Sequence, residues 1–138
     1  MNNNQEKNCC PNNCMADILK VILILQESAE CNDSCLDTCD RGFLGQQNPL
    51  VSYNTRPIVL YTCCSGNDAL AVPISKSPTE TTTSSVFRLE KLDNCCATCR
   101  VLVAGEDNTY TSTNSFFTIN LDCLCVIRCL DDTYVENV

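Results

Sequence analysis

The side chains in this sequence best suited to chemistry are thiols: 14 cysteines among 138 residues, with no histidine beside them. They are Cys9, Cys10, Cys14, Cys31, Cys35, Cys39, Cys63, Cys64, Cys95, Cys96, Cys99, Cys123, Cys125 and Cys129. Such a density marks a disulfide scaffold or a metal cluster, and the spacing bears on which. Without histidine no mixed Cys–His zinc site can form, and Cys96-Ala-Thr-Cys99 is a lone C-x-x-C with no second copy to complete a four-thiolate set. In redox enzymes the same motif opens a helix, whereas here it falls within a predicted strand. The vicinal pairs Cys9-Cys10, Cys63-Cys64 and Cys95-Cys96 point instead to bonds between molecules. Adjacent residues of an extended chain face opposite sides, so each pair sends one thiol inward and one outward. Every cysteine is therefore a candidate for disulfide cross-linking. No cofactor is assigned, and a thiolate protein holding zinc or iron is the alternative.

Other reaction types lack their parts. Without histidine there is no Ser-His-Asp or Cys-His arrangement; no phosphate-cradling glycine loop is present, and the carboxylates scatter along polar turns. The reading is therefore not an enzyme. Arg56, Arg88, Arg100 and Arg128 are associated with strands, and Glu90 and Asp122 are their expected ion-pair partners. A formal net charge of −8 argues against nucleic acid or an anionic membrane as partner.

The elements that must position these thiols follow from periodicity. Between Ser115 and Leu130 the odd positions Phe117, Ile119, Leu121, Cys123, Cys125, Ile127 and Cys129 share one face, which predicts a single strand. Residues i and i+2 of a strand lie about 6.5–7 Å apart with parallel side chains, so these cysteines need partners on other strands or other subunits. Residues 1–14 carry little apolar content beyond their cysteines and read as a flexible arm. A helix is expected over residues 14–28, capped by Asn13, with an apolar surface wider than one stripe and therefore covered on more than one side. Cys31, Cys35 and Cys39 fall among turn formers, in a loop or broken helix. Strands are expected at Leu50–Tyr53, Ile58–Thr62, Ala69–Ile74, Val86–Leu92 and Cys95–Ala104, the last with Ala97, Cys99, Val101 and Val103 on one face. Ser75–Ser85 reads as a mobile surface loop, Gly105–Asn114 as a polar loop, and residues 131–138 as a short acidic tail.

Cysteine-rich chains usually reside where disulfides persist, yet the N-terminus shows no export signal. The apolar run Ile18–Leu25 is 8 residues long, interrupted by Lys20, too short to span a bilayer. The expectation is synthesis in a cytoplasm, with the thiols either holding metal there or oxidised later. Several stretches together resemble a known family: Gly42-Phe-Leu-Gly45, Asn54-Thr-Arg-Pro-Ile-Val-Leu-Tyr-Thr62, Val86-Phe-Arg-Leu-Glu90, Arg100-Val-Leu102 and Thr118-Ile-Asn-Leu-Asp-Cys-Leu-Cys-Val-Ile-Arg-Cys-Leu130. The chain is similar over residues 15–130 to the CotY/CotZ/ExsY spore-coat and exosporium proteins of endospore-forming bacteria, and the closing Asp-Cys-x-Cys element is the most specific part. That resemblance implies a structural protein, made in the mother-cell cytoplasm without a signal peptide, that self-assembles at the spore surface into ordered arrays reinforced by disulfides. It implies as partners further copies of the chain and other coat or exosporium proteins, and no nucleic acid or membrane. The expected fold is a mainly β, antiparallel, sandwich-like domain over residues 15–130 with one N-terminal helix.

Overall fold

The computed structural model describes residues 14–35, 53–63 and 66–138, with backbone alone at 29–35. A helix, α1 (Cys14–Cys35), precedes strands β1 (Ile58–Thr62), β2 (Val72–Pro73), β3 (Thr83–Ser84), β4 (Val86–Asp93), β5 (Cys96–Ala104) and β6 (Tyr110–Asn120). A 3-10 turn, Leu121–Cys123, leads into the last strand, β7 (Leu124–Cys129). The mainly β antiparallel fold with one N-terminal helix is as expected. Five strands form one sheet in the order β6-β5-β4-β1-β7, and β2 and β3 pair as a separate ribbon.

The predicted single strand over 115–130 is corrected: it is two strands at opposite edges of the sheet, joined by three residues. The break has a local cause. The Asn120 side chain accepts the Asp122 amide at 2.9 Å, drawing the chain out of the ladder into a turn. In a flat sheet the edges would be about 19 Å apart, while the connection from Asn120 to Leu124 reaches at most about 14 Å. The sheet must therefore curl until its edges approach each other at Leu121–Cys123, as in a small, partly open barrel.

One face of that sheet is the core. Phe87 stands opposite Val101 and Leu89 opposite Cys99 across β4 and β5, and Cys99 opposite Phe117 across β5 and β6. Phe87 and Phe117 meet edge to face with centroids 4.7 Å apart. Ile58, Leu60, Ala97, Val101 and Leu121 complete this buried layer. Ala16, Leu19 and Ile22 of α1 cover it, with Leu70, Val72 and Ile74 packed alongside. Each buried Leu, Ile or Phe contributes about 1.5–3 kcal/mol, so the fold has a hydrophobic basis independent of its sulfur bonds. The other face of β4 is also occupied. Arg88 is buried there, donating to Thr55 Oγ1 at 2.9 Å and to the Asn54 carbonyl at 3.0 Å, and pairing with Glu90 at 2.9 Å.

Other expectations need adjusting. The helix runs through Cys31 to Cys35 instead of stopping at residue 28, because turn formers such as Asn32 and Asp33 cost little in a final helical turn. Cys14 opens that helix and does not belong to an arm. Of Ala69–Ile74 only Val72–Pro73 is strand, and Thr83–Ser84 pairs with it, so the supposed loop 75–85 is in part a β ribbon. Its bend is held by Ser75 and Glu80, whose side chains join at 2.7 Å. The loop after β5 ends at Thr109, since β6 begins at Tyr110 and Tyr110–Ser112 already pairs with β5. Val103 is only half-buried, while Leu102 on the opposite face of β5 is buried, and two extra β6 residues shift the register between Arg100 and Leu102. The C-terminal segment is docked: Thr133 bridges to Thr55, and the buried Val135 exchanges backbone bonds with the Asn54 side chain at 2.9 Å. Leu50–Ser52, the arm through residue 13 with its cap Asn13, and Cys39 lie outside the described residues, and Tyr53 is not in a strand.

Candidate thiol cross-linking site

The curl of the sheet gathers cysteines that are far apart in sequence. Around the 3-10 turn, the Leu121 amide donates to the Cys95 carbonyl at 2.8 Å and the Cys63 amide donates to the Cys123 carbonyl at 2.9 Å. Cys63, at the end of β1, is bonded to Cys125 of β7, with Sγ–Sγ 2.04 Å and Cα–Cα 5.3 Å. Cys95 is also disulfide-bonded. Cys96 stands opposite Asn120, the residue that starts the turn. One end of the barrel thus carries Cys63, Cys95, Cys96, Cys123 and Cys125. Here Cys96 and Cys123 are exposed and free, as are Cys129 at the far end of β7 and Cys14 at the start of α1.

The strand cysteines do not face inward as their odd-numbered spacing suggested. Asn120 ends the β6 alternation, and Cys125 is then an extra residue in β7, between Leu124 opposite Thr62 and Val126 opposite Tyr61. Leu121 and Leu124 take the buried positions, and Cys123, Cys125 and Cys129 are exposed. Cys99 behaves differently. It is free but fully buried, and burial, with the nearby Glu90 charge adding to it, pushes its thiol up to about 12. Cys96 and Cys99 lie on opposite faces of β5, as an odd separation in a strand requires, so they cannot clasp one ion. Among the described residues no three of the Cys, Asp and Glu side chains are grouped to hold a metal. Cys9, Cys10, Cys39 and Cys64, and the side chains of Cys31 and Cys35, lie outside the described residues.

Two further surface features stand out, the first of which sequence reading did not single out. A groove of about 300 Å³ beside the Cys63–Cys125 bond is lined by Tyr61, Asn67, Val126 and Arg128. Arg128 makes no ion pair among the described residues, and neither does Asp122. The expected pairings are otherwise met by Glu90, which takes both Arg88 and Arg100 at 2.9 Å, while Arg56 uses Asp132 at 2.7 Å. The second feature is the outward side of α1. Leu19, Ile22 and Gln26 face the core, but Ile18, Val21 and Leu25 repeat the same i, i+3, i+7 spacing outward, with Ile24 beside them. Val21 is 54% and Ile24 57% exposed, so among the described residues nothing covers the second side expected to be covered. The wide apolar run was legible in sequence; which side faced the domain was not.

Comparison with known proteins adds one finding. The family model described as Spore coat protein Z matches residues 1–115. That match takes in the N-terminal cysteines and ends where the Cys-rich closing element begins. No curated protein and no solved structure matches the chain.

Proposed function

This chain belongs to the spore coat protein Z family, a structural role in the spore coat follows, and from that premise we propose that it self-assembles into ordered arrays at the spore surface that disulfides then lock. The observation that carries this reading is the placement of free, exposed thiols on separate elements of one domain: Cys14 on the helix, Cys96 and Cys123 at one end of the barrel, Cys129 at the other end of β7. A building block with thiols in several directions can be linked to more than one neighbour, which an extended layer requires. Thiols bridge only when their α-carbons come within about 4.4–6.8 Å, so non-covalent contact must come first.

The outward stripe of α1 suits that first contact. If two helices meet in antiparallel fashion about a two-fold axis, their apolar stripes are shared. Contact of this kind needs no oxidant. Electron microscopy and light scattering of the full chain, kept in reductant throughout, test the reading. Oligomers extending into sheets or fibres are expected, and Val21→Lys with Ile24→Lys should abolish them while circular dichroism is unchanged. A wild-type chain that stays monomeric at high concentration in reductant, and assembles only on oxidation, would overturn the order of events. The metal-binding alternative is tested separately: zinc or iron bound in whole-number stoichiometry after anaerobic purification, and lost together with the fold, would favour it.

A further inference from the structure

We propose that the Cys63–Cys125 bond is an acceptor for thiol–disulfide exchange, through which a thiolate of a second copy becomes covalently linked to this chain without any oxidant. The proposal rests on the self-assembly described above, which brings the second copy close, and concerns how the first covalent link forms.

Four observations converge on this bond. Both of its cysteines are exposed, whereas a bond that served only to brace the core would gain from being covered. It borders the groove of about 300 Å³, which leaves room for an approaching side chain. Arg128 lines that groove and has no ion pair among the described residues, so its charge is available to an arriving thiolate and to the thiolate that departs. The chain itself supplies nucleophiles in Cys14, Cys96, Cys123 and Cys129, all free and exposed, on a molecule whose formal net charge is −8. A cationic, open bond is thus complementary to a thiolate carried by another acidic copy.

The step balances without a further reagent. A thiol of the second copy loses its proton to solvent, and the resulting thiolate attacks one sulfur of the Cys63–Cys125 pair. A new S–S bond forms between the copies as the internal S–S bond breaks. The displaced sulfur leaves as a thiolate and takes a proton from solvent. One disulfide has been exchanged for another and the number of free thiols is unchanged. The released cysteine is itself a new nucleophile beside the groove, so the reaction can pass to a third copy.

Thiol counting separates this from oxidative coupling, which consumes two thiols for every link. The full chain carrying the Cys63–Cys125 bond is held in oxygen-free buffer with a chelator, and three quantities are followed: non-reducing gels, total free thiol, and mass-spectrometric maps of the linking peptides. Exchange predicts linked dimers at constant free thiol, with Cys63 or Cys125 in the linking peptides. No links in oxygen-free buffer, links that consume thiols, or maps in which neither Cys63 nor Cys125 takes part would each overturn it. Paired Cys63→Ala and Cys125→Ala changes should reduce oxygen-free linking to background and leave air-driven linking in place. Should that variant misfold, the wild-type chain with reduced glutathione decides: a glutathione mixed disulfide at Cys63 or Cys125 is expected, and its absence refutes the proposal. Light scattering on the oxygen-free sample keeps the two readings apart. Assembly without links defeats the exchange and leaves self-assembly standing, while glutathione capture without assembly defeats self-assembly and leaves the bond's reactivity established.

Discussion

Cys96 and Cys99 occupy one strand and have opposite fates, because the first is exposed and the second is buried between Leu89 and Phe117. Cys99 should therefore escape alkylation in the native protein at pH 8 while Cys14, Cys96, Cys123 and Cys129 are labelled, as peptide mapping would read. Labelling of Cys99 at the rate of the other four would contradict its burial. Its raised pKa also has a consequence for stability. The unfolded thiol ionises near 9.0 and the folded one at about 12, so the neutral form's contribution is complete below pH 9.0 and is lost as pH rises toward 12. Cys99→Val should remove that part of the alkaline loss, seen as a shallower fall of the urea midpoint above pH 9. Glu90 is the other residue on which several groups depend, since it is the ion-pair partner of both the buried Arg88 and Arg100. Glu90→Ala strips the carboxylate from both arginines and should cost about 3 kcal/mol in urea unfolding. A loss below about 1 kcal/mol would mean the pair behaves as a surface salt bridge.

At the scale of elements, Gln26 ties helix to sheet. Its side-chain amide donates to the Leu89 carbonyl at 2.9 Å and its carbonyl oxygen accepts the Arg56 amide at 3.1 Å. Leu89 is where an extra β4 residue, Glu90, interrupts the ladder with β5, so Gln26 serves a backbone group at the break. Gln26→Leu keeps the bulk but leaves these groups unserved, and should lower stability by about 1–3 kcal/mol, measured by denaturant unfolding. A neutral result would show that water replaces the side chain. Much of the element pattern was legible beforehand. β1 falls at Ile58–Thr62 as read, and Phe87 and Leu89 alternate with Arg88 and Glu90 because one face of β4 is core. What escaped was the break at Asn120, since apolar alternation continues across it and only the polar Asn120-Leu-Asp122 triplet signals a turn. The cysteine cluster escaped for the same reason. Sequence spacing cannot place Cys63, Cys95 and Cys123 together until the curl that the turn imposes is known.

At the scale of the whole molecule, the layered core of strands and helix predicts that reduction leaves the fold intact. The Cys63–Cys125 bond closes a loop of 62 residues and adds about 4 kcal/mol by restricting the unfolded chain, and even together with the bond at Cys95 this is less than the buried core side chains contribute. Circular dichroism in reductant should retain the β signature, with a lower melting temperature. Conversion to a coil would show that sulfur bonds hold the fold together. The position of the same bond on β7 has a mechanical consequence. A neighbour linked at Cys129 pulls at one end of β7, while the bond to β1 secures the other end at Cys125. Tension along the strand loads the hydrogen bonds between β1 and β7 in shear, several at once instead of one after another. If those bonds give way, the segment from Cys125 to Cys129 can lengthen to only about 14 Å before the covalent link carries the load. In the proposed layer, subunits joined through this strand would be stiff at first and then nearly inextensible, with a covalent stop in each subunit. If that bond were exchanged onto a neighbour, as proposed, the stop would lie between subunits, and the lattice would set the strain limit.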